Sequence, residues 1–153
     1  MPAHSNPNVT PEMAEGVFRD TFPGRLGIEL LEIDDERVVG RMVVDDRHLH
    51  AGGFVHGGAW VAFADTIAAW GTFRRLPPGY DFTTVELKTN VFIGARTGDV
   101  LDAFGRPVHL GRRTQVWEVE IKLGKKAAAL FVCTQMVLEP EQASPFVAEV
   151  GGG

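Results

Sequence analysis

The sequence predicts an α+β fold: an antiparallel sheet of about six strands, one long helix, and a short helix near the N-terminus. Three observations carry this reading. Strand-like runs occur at about 26–33, 37–44, 82–93, 99–109, 114–123 and 127–138, and short turns join most of them. Only one long stretch, Gly57 to Phe73, has the length and composition of a helix. Strands grouped by hairpins around a lone helix make an α+β layout, because parallel strands would need a crossover each.

Each element has its own local signal. Thr10-Pro11-Glu12 opens the short helix, with Thr10 as N-cap, Pro11 at the first helical position and acid in the first turn. That helix is expected to stop before Pro23-Gly24. Asp34-Asp35-Glu36 reads as the turn of the first hairpin. Residues 45–56 read as a polar, glycine-rich loop. The fifth strand alternates cleanly, with Trp117, Val119, Ile121 and Leu123 on one face and Glu118, Glu120 and Lys122 on the other. Gly124-Lys125 suits a tight hairpin turn, since glycine takes positive φ without strain. Residues 1–9 read as a flexible lead-in, 10–139 as one domain, and 140–153 as a loose tail.

The chain has 153 residues, enough for one domain with a sizeable core. Its formal charge of −5 disfavours non-specific attraction to nucleic acid or anionic membranes. No basic-then-apolar leader opens the sequence, and Cys133 is the only cysteine. These features predict a cytoplasmic protein without disulfides. Cys133, among Phe131, Val132 and Met136, reads as a small core hydrophobe and not as a nucleophile.

The helix holds the strongest functional signal. Asp65 is the only ionisable side chain between Gly57 and Phe73. A helix apolar on all sides is buried on all sides, so the sheet is expected to wrap it. At helical spacing Asp65 shares a face with Val61, Ala62, Ala68 and Ala69, none of which can neutralise a carboxylate. A charge there costs several kcal/mol unless compensated. A structural pair with a buried Arg or Lys would answer this. The favoured reading is a carboxylate kept in a cleft for general-base or nucleophilic work.

Gly57 and Gly58 open the same helix. A helix start offers unpaired N–H groups, and glycine lets a ligand approach them. Such an end can polarise a carbonyl whose oxygen gains charge in a transition state. His48 and His50 have chelating spacing, but no third ligand follows at a fixed distance, so no metal is assigned.

Val55-His56-Gly57-Gly58-Ala59 followed by Ala64-Asp65-Thr66 resembles the PaaI-type branch of the hotdog-fold acyl-CoA thioesterases. The resemblance covers about residues 25–138. It implies a hotdog fold, in which the sheet wraps the central helix, and hydrolysis of an acyl-CoA or aryl-acyl-CoA thioester. By the same resemblance the Gly57 N–H would polarise the thioester carbonyl, and Asp65 of the other subunit would activate water or attack directly. His56 would order the turn, and Thr84 would position water or the acid. His50 stands where this branch often has Asn or Gln. No cofactor is implied, since coenzyme A is part of the substrate. A homodimer or homotetramer is implied, with sites at the subunit interface. Arg96, Arg112 and Arg113 are candidates for the coenzyme A phosphates, with Gly58 close to the bound substrate. A non-catalytic acyl-CoA-binding domain and an enoyl-CoA hydratase or dehydratase are the alternative readings.

Overall fold

In a computed structural model, which describes residues 4–150, the chain forms a six-stranded antiparallel sheet packed on one long helix. The elements are α1 (Pro11–Phe18), α2 (Phe22–Arg25), β1 (Ile28–Ile33), β2 (Val38–Val43), α3 (Gly57–Arg75), β3 (Asp81–Val91), β4 (Val100–Leu110), β5 (Thr114–Leu123), β6 (Lys126–Leu138) and α4 (Pro145–Val150). The sheet order is β1-β2-β4-β5-β6-β3, antiparallel throughout. All six expected strands are present.

The local signals act as expected. Thr10 Oγ1 accepts from the Met13 N–H at 3.2 Å and caps α1. Asp34 Oδ1 accepts from the N–H groups of Glu36 and Arg37, both at 2.8 Å, and fixes the β1–β2 turn. Gly124 takes φ of +60° between β5 and β6.

Alternation decides what faces α3. Trp117, Val119 and Ile121 of β5 and Phe131 and Cys133 of β6 are fully buried on the helix side. Three glycines bring the helix close. A Cβ on Gly71 would stand 2.4 Å from the Trp117 ring, and a Cβ on Gly40 or Gly105 would meet Ile67 at 2.3 or 2.9 Å. Trp117 and Ile67 therefore pack directly against backbone.

The first helix stops at Phe18, before Pro23-Gly24 as expected, and Phe22–Arg25 adds the short helix α2. Two expectations need correction. The segment after Glu139 is not loose: Pro140–Gln142 forms a 3-10 turn and Pro145–Val150 forms α4. Val147 is buried there and Phe146 packs on Phe18 and Phe73, so two apolar side chains anchor the segment. The lead-in is also tied down over its described part. Val9 is fully buried, the Asn6 N–H donates to the Arg74 carbonyl at 2.7 Å, and Ser5 Oγ donates to Asp35. Residues 1–3 and 151–153 lie outside the described residues.

The two long edges of the sheet differ. β1 is short, carries a register shift between Leu30 and Glu32, and is flanked by α1. β3 is eleven residues long and pairs only with β6. Leu87 and Val91 lie opposite the inward-facing Cys133 and Ala129, yet remain 38% and 45% exposed. α3 thus leaves the inner face of β3 partly open.

Candidate active site

Asp65 lies eight residues after Gly57 and is partly buried, on the side of α3 that looks toward β3. The wrapping expected from the apolar composition is incomplete there: Val61, Ala62, Asp65 and Ala69 form a half-buried stripe. No Arg or Lys pairs with Asp65 among the described ion pairs, so the structural-pair reading fails. Thr84 Oγ1 sits 3.0 Å from Asp65 Oδ1 and 3.0 Å from Gln135 Oε1. A hydroxyl has one proton to donate. If the Gln135 amide presents its NH₂ to Thr84, then Thr84 donates to Asp65 and every group is satisfied.

Burial raises the Asp65 pKa above the usual carboxylate range, and the hydrogen bonds from Thr84 and Gln135 oppose that rise. An acid so perturbed, with no cationic partner, is suited to take up a proton from water or to attack an electrophile. Cys133 is the contrast. Burial, aided by the nearby Asp65 charge, pushes its thiol up to about 12, so it is inert.

Thr84 reaches Asp65 because of a bulge. The β3–β6 register shifts between Thr84 and Glu86, leaving Val85 as the extra residue. Gln135, fully buried, lies opposite Thr84 on β6 and opposite Gln115 on β5. The sequence reading missed Gln135. The signal was available: Phe131, Cys133 and Gln135 fall on alternate positions of one strand, so an inward-facing amide could have been read there.

At the helix start, His56 is the N-cap, and its Nδ1 accepts from the Gly58 N–H at 2.8 Å. The Gly58 N–H is therefore occupied, while the Gly57 N–H has no partner among the described residues. A Cβ on Gly57 would meet nothing within 4 Å, so the approach to this donor is open. His50 Nδ1 accepts from the Gly52 N–H at 2.9 Å, which leaves Nε2 to face outward. Its ring packs at 6.3 Å against Phe54, and Arg96 lies 4.1 Å over the same Phe54 ring. The Val55 N–H donates to the Ala95 carbonyl, which ties Arg96 to the loop preceding Gly57.

Not every candidate gathers here. Arg112 and Arg113 occupy the β4–β5 turn, beside the end of β6, where the Val137 N–H donates to the Arg113 carbonyl. That is the end of the sheet opposite the Gly57 turn. Gly57 and Asp65 are also apart: eight residues of helix span about 12 Å along the axis. His48, the other half of the chelating pair, is fully buried with both ring nitrogens engaged. Nδ1 accepts from the Asp45 N–H at 2.9 Å, and Nε2 contacts the Leu26 carbonyl at 2.7 Å. Among the described residues no cluster of three His, Cys, Asp or Glu could hold a metal ion, and no helix is long and apolar enough to cross a membrane.

A cleft of about 350 Å³ opens beside Asp65, walled by Ala62, Ala69, Trp70, Phe73 and Phe82 among others. A larger hollow of about 500 Å³, between α1 and β1, holds none of the candidate residues. Glu12, Glu15 and Glu29 line it, which disfavours a polyanionic ligand.

Comparison with known proteins gives the family and supports the fold. The thioesterase superfamily model matches residues 52–129, the stretch from the glycine turn to the start of β6. The 1,4-dihydroxy-2-naphthoyl-CoA hydrolase of Escherichia coli is 31% identical over 113 residues, 74% of this chain and 82% of that protein. A mutant thioesterase of Pseudomonas aeruginosa superposes with a TM-score of 0.80 at 27% identity, covering 84% of this chain and 94% of the other. The phenylacetic acid degradation protein PaaI of Thermus thermophilus, also a mutant, superposes with a TM-score of 0.71 at 29% identity, covering 76% and 98%. The chain belongs to the thioesterase superfamily and is a thioester hydrolase of the hotdog fold.

Proposed function

We propose that this chain hydrolyses acyl-CoA thioesters to the free acid and coenzyme A, with Asp65 of one copy acting on a carbonyl held at Gly57 of a second copy. The observation that carries this is the pair of half-sites on one helix. A reacting carbonyl needs its oxygen about 3 Å from the donor and its carbon about 3–3.5 Å from the attacking group. A spacing of about 12 Å along α3 is too long for one chain to supply both. The open β3 edge, with Val85, Leu87 and Val91 exposed, supports pairing with a second copy, since long apolar edges are not left bare. A homodimer joined there is the smallest unit that would complete the site, and a homotetramer would pair two of them.

Two routes are chemically balanced. In the first, Asp65 takes a proton from water as its oxygen attacks the carbonyl carbon. The tetrahedral oxyanion is held by the Gly57 N–H, and the C–S bond then breaks to release the thiolate of coenzyme A. In the second, the Asp65 carboxylate attacks, the thiolate leaves, and water opens the resulting anhydride. Thr84 holds the carboxylate and His56 holds the turn in both. His50, whose Nδ1 accepts from the Gly52 N–H, would use Nε2 to donate in place of the family's amide. Arg96, beside the turn, and Arg112 and Arg113, which a second copy would supply, are proposed for the phosphates. The cytoplasm, where acyl-CoA is made and consumed in soluble form, is the proposed location.

Complementation tests the shared site. Gly57→Pro removes one N–H from the first helical position, where proline fits, and His56 already has the extended backbone that precedes proline (φ −64°, ψ 142°). Gly57→Pro and Asp65→Asn are each expected to be nearly inactive on an acyl-CoA panel. Unfolded together and refolded, they should recover about a quarter of wild-type activity, because random pairing makes half the dimers mixed and each mixed dimer holds one intact site. No recovery, with mixed dimers present, would show that one chain carries the whole site. Single turnover in ¹⁸O-water tests the second route, since label enters Asp65 only when water opens an anhydride at the Asp65 carbonyl, whereas the first route puts all of it in the product acid.

A further inference from the structure

The cleft beside Asp65 has a wall that the match to the superfamily does not include. Phe18 comes from α1 and Phe146 from α4, both outside residues 52–129. Together with Trp70, Phe73 and Phe82 they form a chain of ring contacts. Trp70 meets Phe18 at 6.1 Å, Phe18 meets Phe146 at 6.0 Å, Phe146 meets Phe73 at 5.9 Å, and Phe73 meets Phe82 at 6.0 Å. Interplanar angles run from 52° to 77°, so rings present edges and faces by turns. Phe146 bridges Phe18 of α1 and Phe73 of α3, beside the direct contact of Phe18 with Trp70.

Phe146 is held in place by more than its own packing. Val147 beside it is buried, and Asp81 Oδ2 accepts from the Ser144 N–H at 2.9 Å, just before α4. Asp81 is also the first residue of β3 and lines the same cleft. The strand that carries Thr84 therefore also anchors the segment that carries Phe146.

We propose that Phe146 is a specificity-determining residue that selects planar aromatic acyl groups, closing the acyl end of the cleft from the C-terminal segment. The proposal rests on the thioesterase reading and names its substrate class. A space of about 350 Å³ walled by tilted rings gives a flat acyl group edge-to-face contacts from several sides. A flexible alkyl chain gains burial there but no ring contact, and it loses rotamer freedom on entry. At the inner end the carboxylate of Asp65 waits for the carbonyl carbon, so a ring directly joined to the thioester carbonyl puts that carbon at the mouth of the aromatic wall.

The test uses the full chain, with 2-naphthoyl-CoA and octanoyl-CoA as paired substrates. Phe146→Ala should raise KM for 2-naphthoyl-CoA about tenfold, as the loss of one aromatic contact and its burial implies. KM for octanoyl-CoA should move less than about twofold, and kcat for both should hold. Phe146→Tyr, which keeps the ring, should restore the wild-type preference. Equal KM changes for both substrates, or none for either, would overturn the proposal, as would a drop in kcat that Phe146→Tyr does not rescue. Calorimetric titration of wild type and Phe146→Ala with free 2-naphthoate and octanoate reads the pocket without hydrolysis. Tighter binding of naphthoate, weakened by Phe146→Ala, supports the proposal, and equal binding of the two acids sinks it. If the wild type turns over no thioester, the thioesterase reading fails while the titration still decides the pocket.

Discussion

The loop from Asp45 to Val55 and the middle of α3 each bury a titratable side chain, and they do so in opposite ways. His48 is fully enclosed and gives both ring nitrogens to backbone groups, Asp45 on one side and Leu26 on the other. Asp65 is only partly enclosed, has one oxygen held by Thr84, and borders an open cleft. A satisfied polar group locks two segments together. A half-satisfied one stores a cost that chemistry can use. Burial alone separates structure from function poorly, whereas the count of unmet partners separates them well.

Substitutions can sharpen that contrast. The largest effect belongs to Asp65→Asn, which should lower kcat by about 10²–10⁴, the usual range for loss of a positioned acid or base. The same variant should melt at a higher temperature than wild type at pH 7. The sign follows from the raised pKa of Asp65: the folded state binds this proton more tightly than the unfolded chain. The carboxyl's contribution is complete below its unfolded pKa and is lost as pH rises through the folded value. The melting advantage of Asn should therefore shrink as the buffer is taken down toward the ordinary carboxylate value of 3.8. A wild type that melts above Asp65→Asn at pH 7 would mean that the carboxylate stabilises the fold.

His48→Ala should do the reverse. It leaves the Asp45 N–H and the Leu26 carbonyl without partners and should destabilise by about 3 kcal/mol, seen as a lower urea midpoint. Turnover per folded molecule should stay within about threefold of wild type. A large loss of kcat without loss of stability would move His48 into the chemistry and erase the contrast.

Thr84→Val gives the smallest effect and the finest test. It removes a hydrogen bond that favours the charged form of Asp65, so the carboxyl pKa should climb further. The acid limb of the kcat/KM profile should shift to higher pH by about one unit, as expected for loss of one hydrogen bond to a charged group. An unshifted limb would show that Thr84 does not set the ionisation of Asp65.

Much of this molecule was legible before any coordinates. The six strands follow from alternation, and α3 from a long apolar stretch between glycine and the Pro77-Pro78-Gly79 turn. Asp65 stood out as the lone charge in that stretch, and the structure leaves it without a cationic partner beside an open cleft. What was hidden depends on contacts between distant segments. Phe146 and Val147 are only two apolar residues among prolines and acids, too few to show a period, and they order only against Phe18 and Phe73. Gln135 looked like any amide on a strand until Thr84 was placed opposite it by the bulge at Val85. The proposed division of the site between two copies was implied only by the family resemblance, and no composition or spacing in the chain carries it. Its support is the rise of a helix and the length of the exposed β3 edge.

The glycine contacts under α3 have a consequence for precision. Gly71 rests on Trp117, and Ile67 rests over Gly40 and Gly105, on the sheet side of the helix and away from the Asp65 stripe. Any roll of α3 about its axis would drive a side chain into one of these seats. The helix thus has a single permitted azimuth, and that azimuth is what points the Asp65 carboxylate at Thr84. The aim of the Asp65 carboxylate is thus set on the opposite surface of its own helix, where α3 seats on the sheet.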